Sequence, residues 1–166
     1  MSQAFSFHGV GFSLRGDKDR FVLPPAFRKL VKDASHGSRI LCVAKHERWP
    51  CLTGFGTSRV DELSAQVARE EAAALARGTP FDPEMRLAQL HTFLELPFDE
   101  SGRFVMPGHL AQLGGLADEV YFNGNGPFFT IWTPAALMAM GPGWEPMQAA
   151  CAALGEEARA TKAKRS

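Results

Sequence analysis

The stretch "RFVLPPAFRKL", starting at Arg20, returns as "RFVMPGHLAQL", starting at Arg103, with Arg, Phe, Val, Pro and the closing Leu shared and Leu23 set against Met106. Each copy follows a charged turn, "GDKD" from Gly16 and "DESG" from Asp99. Further along, "PCLTGFGTSRVDEL" at Pro50 answers "PFFTIWTPAALMAM" at Pro127, so the blocks recur in the same order. Ordered recurrence points to duplication of a unit of roughly 45 residues, whose halves can pack about a pseudo-two-fold axis.

Within the first unit, Phe5 and Phe7 alternate on one parity and Val10, Phe12 and Leu14 on the other, which predicts an extended strand that changes face near His8-Gly9. A polar turn leads to "RFVL", and Pro24-Pro25 opens a short helix whose apolar side carries Phe27, Leu30 and Val31. "RILCVA" and "CLTGF" read as two further strands. The second unit repeats this order with "FLELPF", "RFVM", "GHLAQLGGL", "EVYFN" and "FFTIW", and Asn123-Gly124 marks a turn between its last two strands. Between the units, Ser58, Asp61, Arg77 and Gly78 mark the two ends of a long helix, and Asp82-Pro83 begins another carrying Met85, Ala88 and Leu90. The expected organisation is a first unit at 5–56, connecting helices at 57–91, a second unit at 92–138 and a tail at 139–166, interrupted by Gly141-Pro142-Gly143 and fraying at its Ala-rich basic end.

Composition matters chiefly through charge. The chain has 166 residues and zero formal charge, but residues 1–50 hold nine Arg/Lys against four acids, residues 51–157 five against fourteen, and the tail adds four more cations. Such segregation lets one face of an assembly attract phosphate while the rest repels it. No run approaches the ~18 apolar residues of a membrane span, no secretory segment opens the chain, and a cytosolic address is expected. Three cysteines, Cys42, Cys51 and Cys151, fall in no ligand or disulfide spacing. "GFSLRGDK" imitates phosphate-loop glycine spacing, but its Lys is one position late and Asp19 stands where a hydroxyl belongs. His8, His36, His46, His91 and His109 show no metal-ligand spacing, and no nucleophile-base pair stands out. No enzyme and no cofactor are expected.

At the paired turns the chain resembles the MraZ family of transcription regulators, whose signature is Asp-x-x-x-Arg at a strand-turn-strand in each copy, followed by a proline-led helix. The second copy keeps it whole in Asp99, Glu100, Ser101, Gly102 and Arg103. The first departs, with Gly16 in place of Asp and Asp19 in place of Gly, while Lys18 and Arg20 fall on matching positions; Ala111 stands where many relatives have Arg. The resemblance runs from about Phe5 to Met138. It implies an α+β fold in which two tandem AbrB-like swapped-hairpin half-barrels form one pseudo-two-fold β-barrel core with flanking helices. It also implies a homo-oligomeric ring, an octamer or a dodecamer, on promoter direct repeats of double-stranded DNA upstream of the division and cell-wall gene cluster, in the cytoplasm at the nucleoid.

Arg15, Lys18 and Arg20 crowd one strand-turn-strand and Arg28 lies on the following helix, so these four are the expected phosphate and base contacts, with a fold-holding ion pair to a nearby carboxylate the alternative for Arg20. Asp99 and Arg103 of the second copy are either structural or DNA-facing. A hairpin of this kind wants positive φ just before its second strand, which Gly102 supplies freely and Asp19 only at a cost of roughly 1 kcal/mol. Asp17 is a candidate to replace the turn-bonding carboxylate missing at Gly16. Thirteen Phe and three Trp suggest more apolar surface than two half-barrels hide, which favours self-association. Two other readings stay open: an oligomeric protein-interaction scaffold with weak or lost DNA binding, and a small-ligand binding barrel.

Overall fold

The computed structural model describes residues 5–165. Its strands are β1 (Val10–Leu14), β2 (Arg20–Val22), β3 (Ile40–Lys45), β4 (Leu52–Phe55), β5 (Leu94–Pro97), β6 (Arg103–Val105), β7 (Glu119–Gly124) and β8 (Phe129–Trp132). The helices are α1 (Pro25–Ala34), α2 (Leu63–Arg77), α3 (Pro83–Leu90), α4 (Gly108–Gly114), α5 (Pro134–Met138) and α6 (Glu145–Arg165).

Six strands form one antiparallel sheet in the order β1-β7-β8-β4-β3-β5, and β2 pairs with β6 in a separate ribbon. Exchanging each strand for its counterpart in the other repeat (β1 for β5, β3 for β7, β4 for β8) reverses this order onto itself. The register agrees, since Thr53 faces Thr130 at the centre and Phe21 faces Phe104 in the ribbon. The first strand of each repeat pairs with the third of the other: β1 with β7, and β5 with β3. The expected barrel closure is not observed. β1 and β5 are the two free ends of an open sheet, because the two second strands bond to each other rather than bridging those ends.

Both faces of the sheet are covered. On one, Leu41, Val43, Leu52, Phe122, Phe129 and Ile131 meet the ribbon's Phe21 and Phe104 and the helix residues Phe27, Val31 and Leu110. On the other, Tyr121 and Trp132 lie under α5 and α6 with Leu137 and Cys151, flanked by Phe12, Trp49 and Trp144. Alternation explains the division, since Tyr121 and Phe122 are neighbours in β7 and point to opposite cores. Trp132 and most Phe side chains are thus internal, the Phe chiefly in the first core and Trp132 in the second, so their number alone is no sign of self-association.

Several boundaries differ from expectation. The tail is a 21-residue helix to Arg165, held by Arg159 donating to Glu119 at 2.6 and 3.1 Å and by buried Cys151 and Gly155; Ser166 lies outside the described residues. The linker helix proper begins at Leu63, after a 3-10 turn over Thr57–Glu62, and Ser58 makes no cap; its other end does stop at Gly78, at φ 68°. Asp82 caps α3, accepting from the Met85 amide at 3.1 Å. Asn123 and Gly124 remain paired in β7, and the turn falls two residues later, closed by the Asn125 amide donating to the Phe128 carbonyl. The change of face near His8-Gly9 coincides with Gly9 at φ 92°.

Candidate nucleic-acid interface

The two charged turns lie at opposite ends of the β2–β6 ribbon, because Arg20 pairs with Val105 and Val22 with Arg103. Alternate residues Arg20, Val22, Arg103 and Val105 face away from the core, while Phe21 and Phe104 face into it. One backbone bridge closes both turns: the Gly16 amide donates to the Arg20 carbonyl at 2.8 Å, and the Asp99 amide to the Arg103 carbonyl at 3.1 Å.

In the second turn the Asp-x-x-x-Arg pair acts on itself. Asp99 Oδ1 accepts from the Ser101 and Arg103 amides at 3.0 and 2.9 Å, and Oδ2 from Arg103 Nε at 2.7 Å. These bonds, led by the Arg103 amide, hold the Asp99 carboxyl below its usual pKa. Gly102 sits at φ 84°, and its carbonyl accepts from the Leu23 amide at the entry of α1.

The first turn is braced differently. Gly16 offers no carboxylate, and Asp17 contributes only its carbonyl, which accepts from Arg20 Nε at 3.2 Å; it does not take over the Asp99 role. Asp19 pairs with Arg15 at 3.3 Å. Arg15 also donates to the Ala117 carbonyl at 2.7 Å and pairs with Asp118 at 3.3 Å, so its guanidinium fastens the turn to the loop after α4. Arg20, unlike Arg103, has no carboxylate partner within 4 Å among the described residues. Both Asp19 at φ 57° and Lys18 at φ 61° occupy the left-handed region; the first follows from the missing glycine, and the second was not anticipated. Lys18 is exposed at the tip.

Arg28 belongs to the other end of the ribbon. It donates to the Leu23 carbonyl at 3.0 Å and to the Glu100 carbonyl at 3.4 Å, against the second turn rather than the first. Arg39 reaches Glu100 at 3.8 Å, and Lys29 and Lys32 line the same shallow cavity. A turn that reads as nearly neutral in sequence therefore has four cations from α1 and its following loop around it. Sequence reasoning missed Lys29, Lys32 and Arg39, whose only signal was the high cation density of residues 28–39. The reciprocal helix α4 has no Lys or Arg to offer the first turn.

Among the described residues, no group of three or more His, Cys, Asp or Glu gathers as a metal site, and no helix is long and apolar enough to cross a membrane. Burial pushes the Cys42 and Cys51 thiols up to about 12, a state suited to packing rather than nucleophilic attack.

No family model matches the chain. It is 32% identical to a protein of Parvibaculum lavamentivorans over 137 residues, covering 81% of this chain and 80% of that one. A Rhodospirillum rubrum protein is 33% identical, covering 74% and 76% respectively, and a Caulobacter vibrioides protein is also 33% identical, covering 74% and 73%. All three bear the name transcriptional regulator MraZ, a regulator and not an enzyme. With identity of 32–33% across 74–81% of its length, the chain belongs to the MraZ family.

Proposed function

We propose that this protein is a sequence-specific, double-stranded-DNA-binding transcriptional regulator, resident in the cytoplasm at the nucleoid, that acts as a homo-oligomeric ring of eight or twelve subunits. It binds promoter direct repeats of the division and cell-wall gene cluster, mainly through the first turn. The two repeat units at 5–56 and 92–138 form its body, with the segment 57–91 and the tail 139–166 as additions. The carrying observation is the first turn: Lys18 stands exposed at its tip, and Arg20 has no carboxylate partner within 4 Å among the described residues. Cationic groups without a carboxylate partner suit phosphate, and a guanidinium suits the guanine edge in the major groove. Arg15 is more committed to the fold, and Arg28 serves the opposite end of the ribbon with Lys29, Lys32 and Arg39. One ring brings many such weak contacts to one DNA.

Gel shift and footprinting on DNA upstream of the protein's own gene, repeated across a salt series, tests this. Binding should fall steeply with salt, with a log–log slope of about −0.9 per phosphate neutralised. Lys18→Ala with Arg20→Ala should weaken binding and flatten the slope while the oligomer persists in sedimentation. Asp17 and Asp19 on the same turn favour one rival, a scaffold with weak or lost DNA binding, for which neither salt nor these substitutions would matter.

A further inference from the structure

Away from the ribbon, a cavity of about 360 Å³ opens where the loop after β3, the 3-10 turn at Thr57–Glu62 and the end of α3 meet. Its cations are Lys45, Arg48 and Arg59, against one carboxylate, Glu47. That carboxylate is already engaged, since Arg86 binds both of its oxygens as well as Glu70. Lys45 is spent on the His46 and Trp49 carbonyls at 2.8 and 2.7 Å.

Arg59 is not spent. Its guanidinium lies over Phe55 and Phe128, 5.9 and 5.6 Å from the ring centroids, and its one acceptor among the described residues is Gln66 Oε1 at 3.4 Å. No carboxylate lies within 4 Å of it among the described residues. A guanidinium carries five N–H donors, and those of Arg59 that Gln66 does not engage remain open to a further acceptor. Burial pulls the Arg59 pKa below its usual value. His46 adds another donor. Its Nδ1 accepts from the Arg48 and Trp49 amides, both at 3.0 Å, so the neutral ring carries its proton on Nε2. Trp49, Phe55, Phe128 and Leu90 give the lining its apolar walls, and Thr53, Gln89, Thr92 and Asn125 add neutral polar groups. Open donors beside aromatic walls, in a space the size of a small-ligand pocket, suit an anionic head on a planar apolar body.

We propose that this cavity is a binding site for a small aromatic organic acid, whose carboxylate is held by Arg59 and whose ring lies among Phe55, Phe128 and Trp49. The site is separate from the ribbon and its occupancy is read without DNA, so the fate of the DNA-binding reading does not decide it.

Saturation-transfer NMR of the full chain with benzoate, benzyl alcohol and inorganic phosphate provides the test. Benzoate should bind saturably, and benzyl alcohol and phosphate, each with half of the recognised features, roughly tenfold more weakly or worse. Arg59→Gln should reduce benzoate binding by roughly tenfold or more, with Arg59→Lys between it and the parent. Leu90→Trp, which fills the cavity without touching Arg59, should abolish binding and keeps the test intact should Arg59→Gln fail to fold. Absence of saturable benzoate binding overturns the proposal, as does undiminished binding in Arg59→Gln or Leu90→Trp. A loss of the oligomer in Arg59→Gln, with no benzoate bound by the parent, overturns it in favour of a carboxylate from a neighbouring copy.

Discussion

At the scale of single residues, the two turns show what an Asp-to-Gly exchange does to a hairpin. Where Asp99 is present, its carboxylate gathers two amides and the Arg103 side chain, and Gly102 takes the positive φ at no steric cost. Where Gly16 replaces it, Arg20 has no carboxylate within 4 Å among the described residues, and Lys18 and Asp19 both adopt left-handed backbone. Strain of this kind concentrates at functional positions. Lys18→Gly should therefore leave urea stability equal or raise it by up to about 1 kcal/mol while weakening DNA binding; a loss in both would deny the turn any functional strain. Gly102→Ala should do the opposite. Its Cβ would lie 2.6 Å from the Leu23 carbonyl oxygen and 2.5 Å from Arg28 Nε, at a φ of 84°, so a loss of more than about 1 kcal/mol is expected in urea unfolding. His46 makes a further residue-scale prediction. Burial, with Lys45 and Arg48 nearby outweighing Glu47, lowers its pKa from 6.5. A lowered histidine stabilises the fold above the unfolded value, and this contribution is lost as pH falls below 6.5 towards the folded value. The melting temperature of the parent should drop across that interval more than that of His46→Gln, and parallel curves would show the group to be silent.

At the scale of elements, the strands and short helices were legible because period-two alternation, Pro24-Pro25 and Asp82-Pro83 are local signals. What was illegible depends on distant partners. Ser58 resembles a helix cap, but the chain enters there pinned to α1: Gly56 packs against Ala34, and the Thr57 amide donates to Ser35 Oγ at 3.0 Å. These contacts set a 3-10 turn before the helix can begin. The tail looked frayed because its apolar residues are few, yet α6 lies across β1 and β7, with Arg159 both paired to Glu119 and placed 5.8 Å over the Phe12 ring. Trp132 beneath it is fully buried. Trp132→Ala should cost about 3–5 kcal/mol in denaturant unfolding, and a cost under about 1 kcal/mol would mean the second core is not a core.

At the scale of the whole molecule, the repeat was visible in sequence and the partners of its strands were not. Alternation states which residues share a face but not which strand lies alongside, so the palindromic strand order and the failure of the sheet to close emerged only in three dimensions. The cation map changed for the same reason. Arg28 sits close in sequence to the first turn, yet the antiparallel ribbon delivers it to the second. Arg28→Ala with Lys29→Ala should consequently lower the salt slope of DNA binding independently of Lys18→Ala with Arg20→Ala, each pair by roughly one or two units, and the two effects should add. Non-additive slopes would place all four cations on one contact.

The exchange of first strands, β1 onto β7 and β5 onto β3, makes each half the other's missing edge. A polypeptide nicked between Gly78 and Asp82 should yield fragments that are unfolded singly and that reconstitute on mixing, which circular dichroism of each fragment and of the mixture would read.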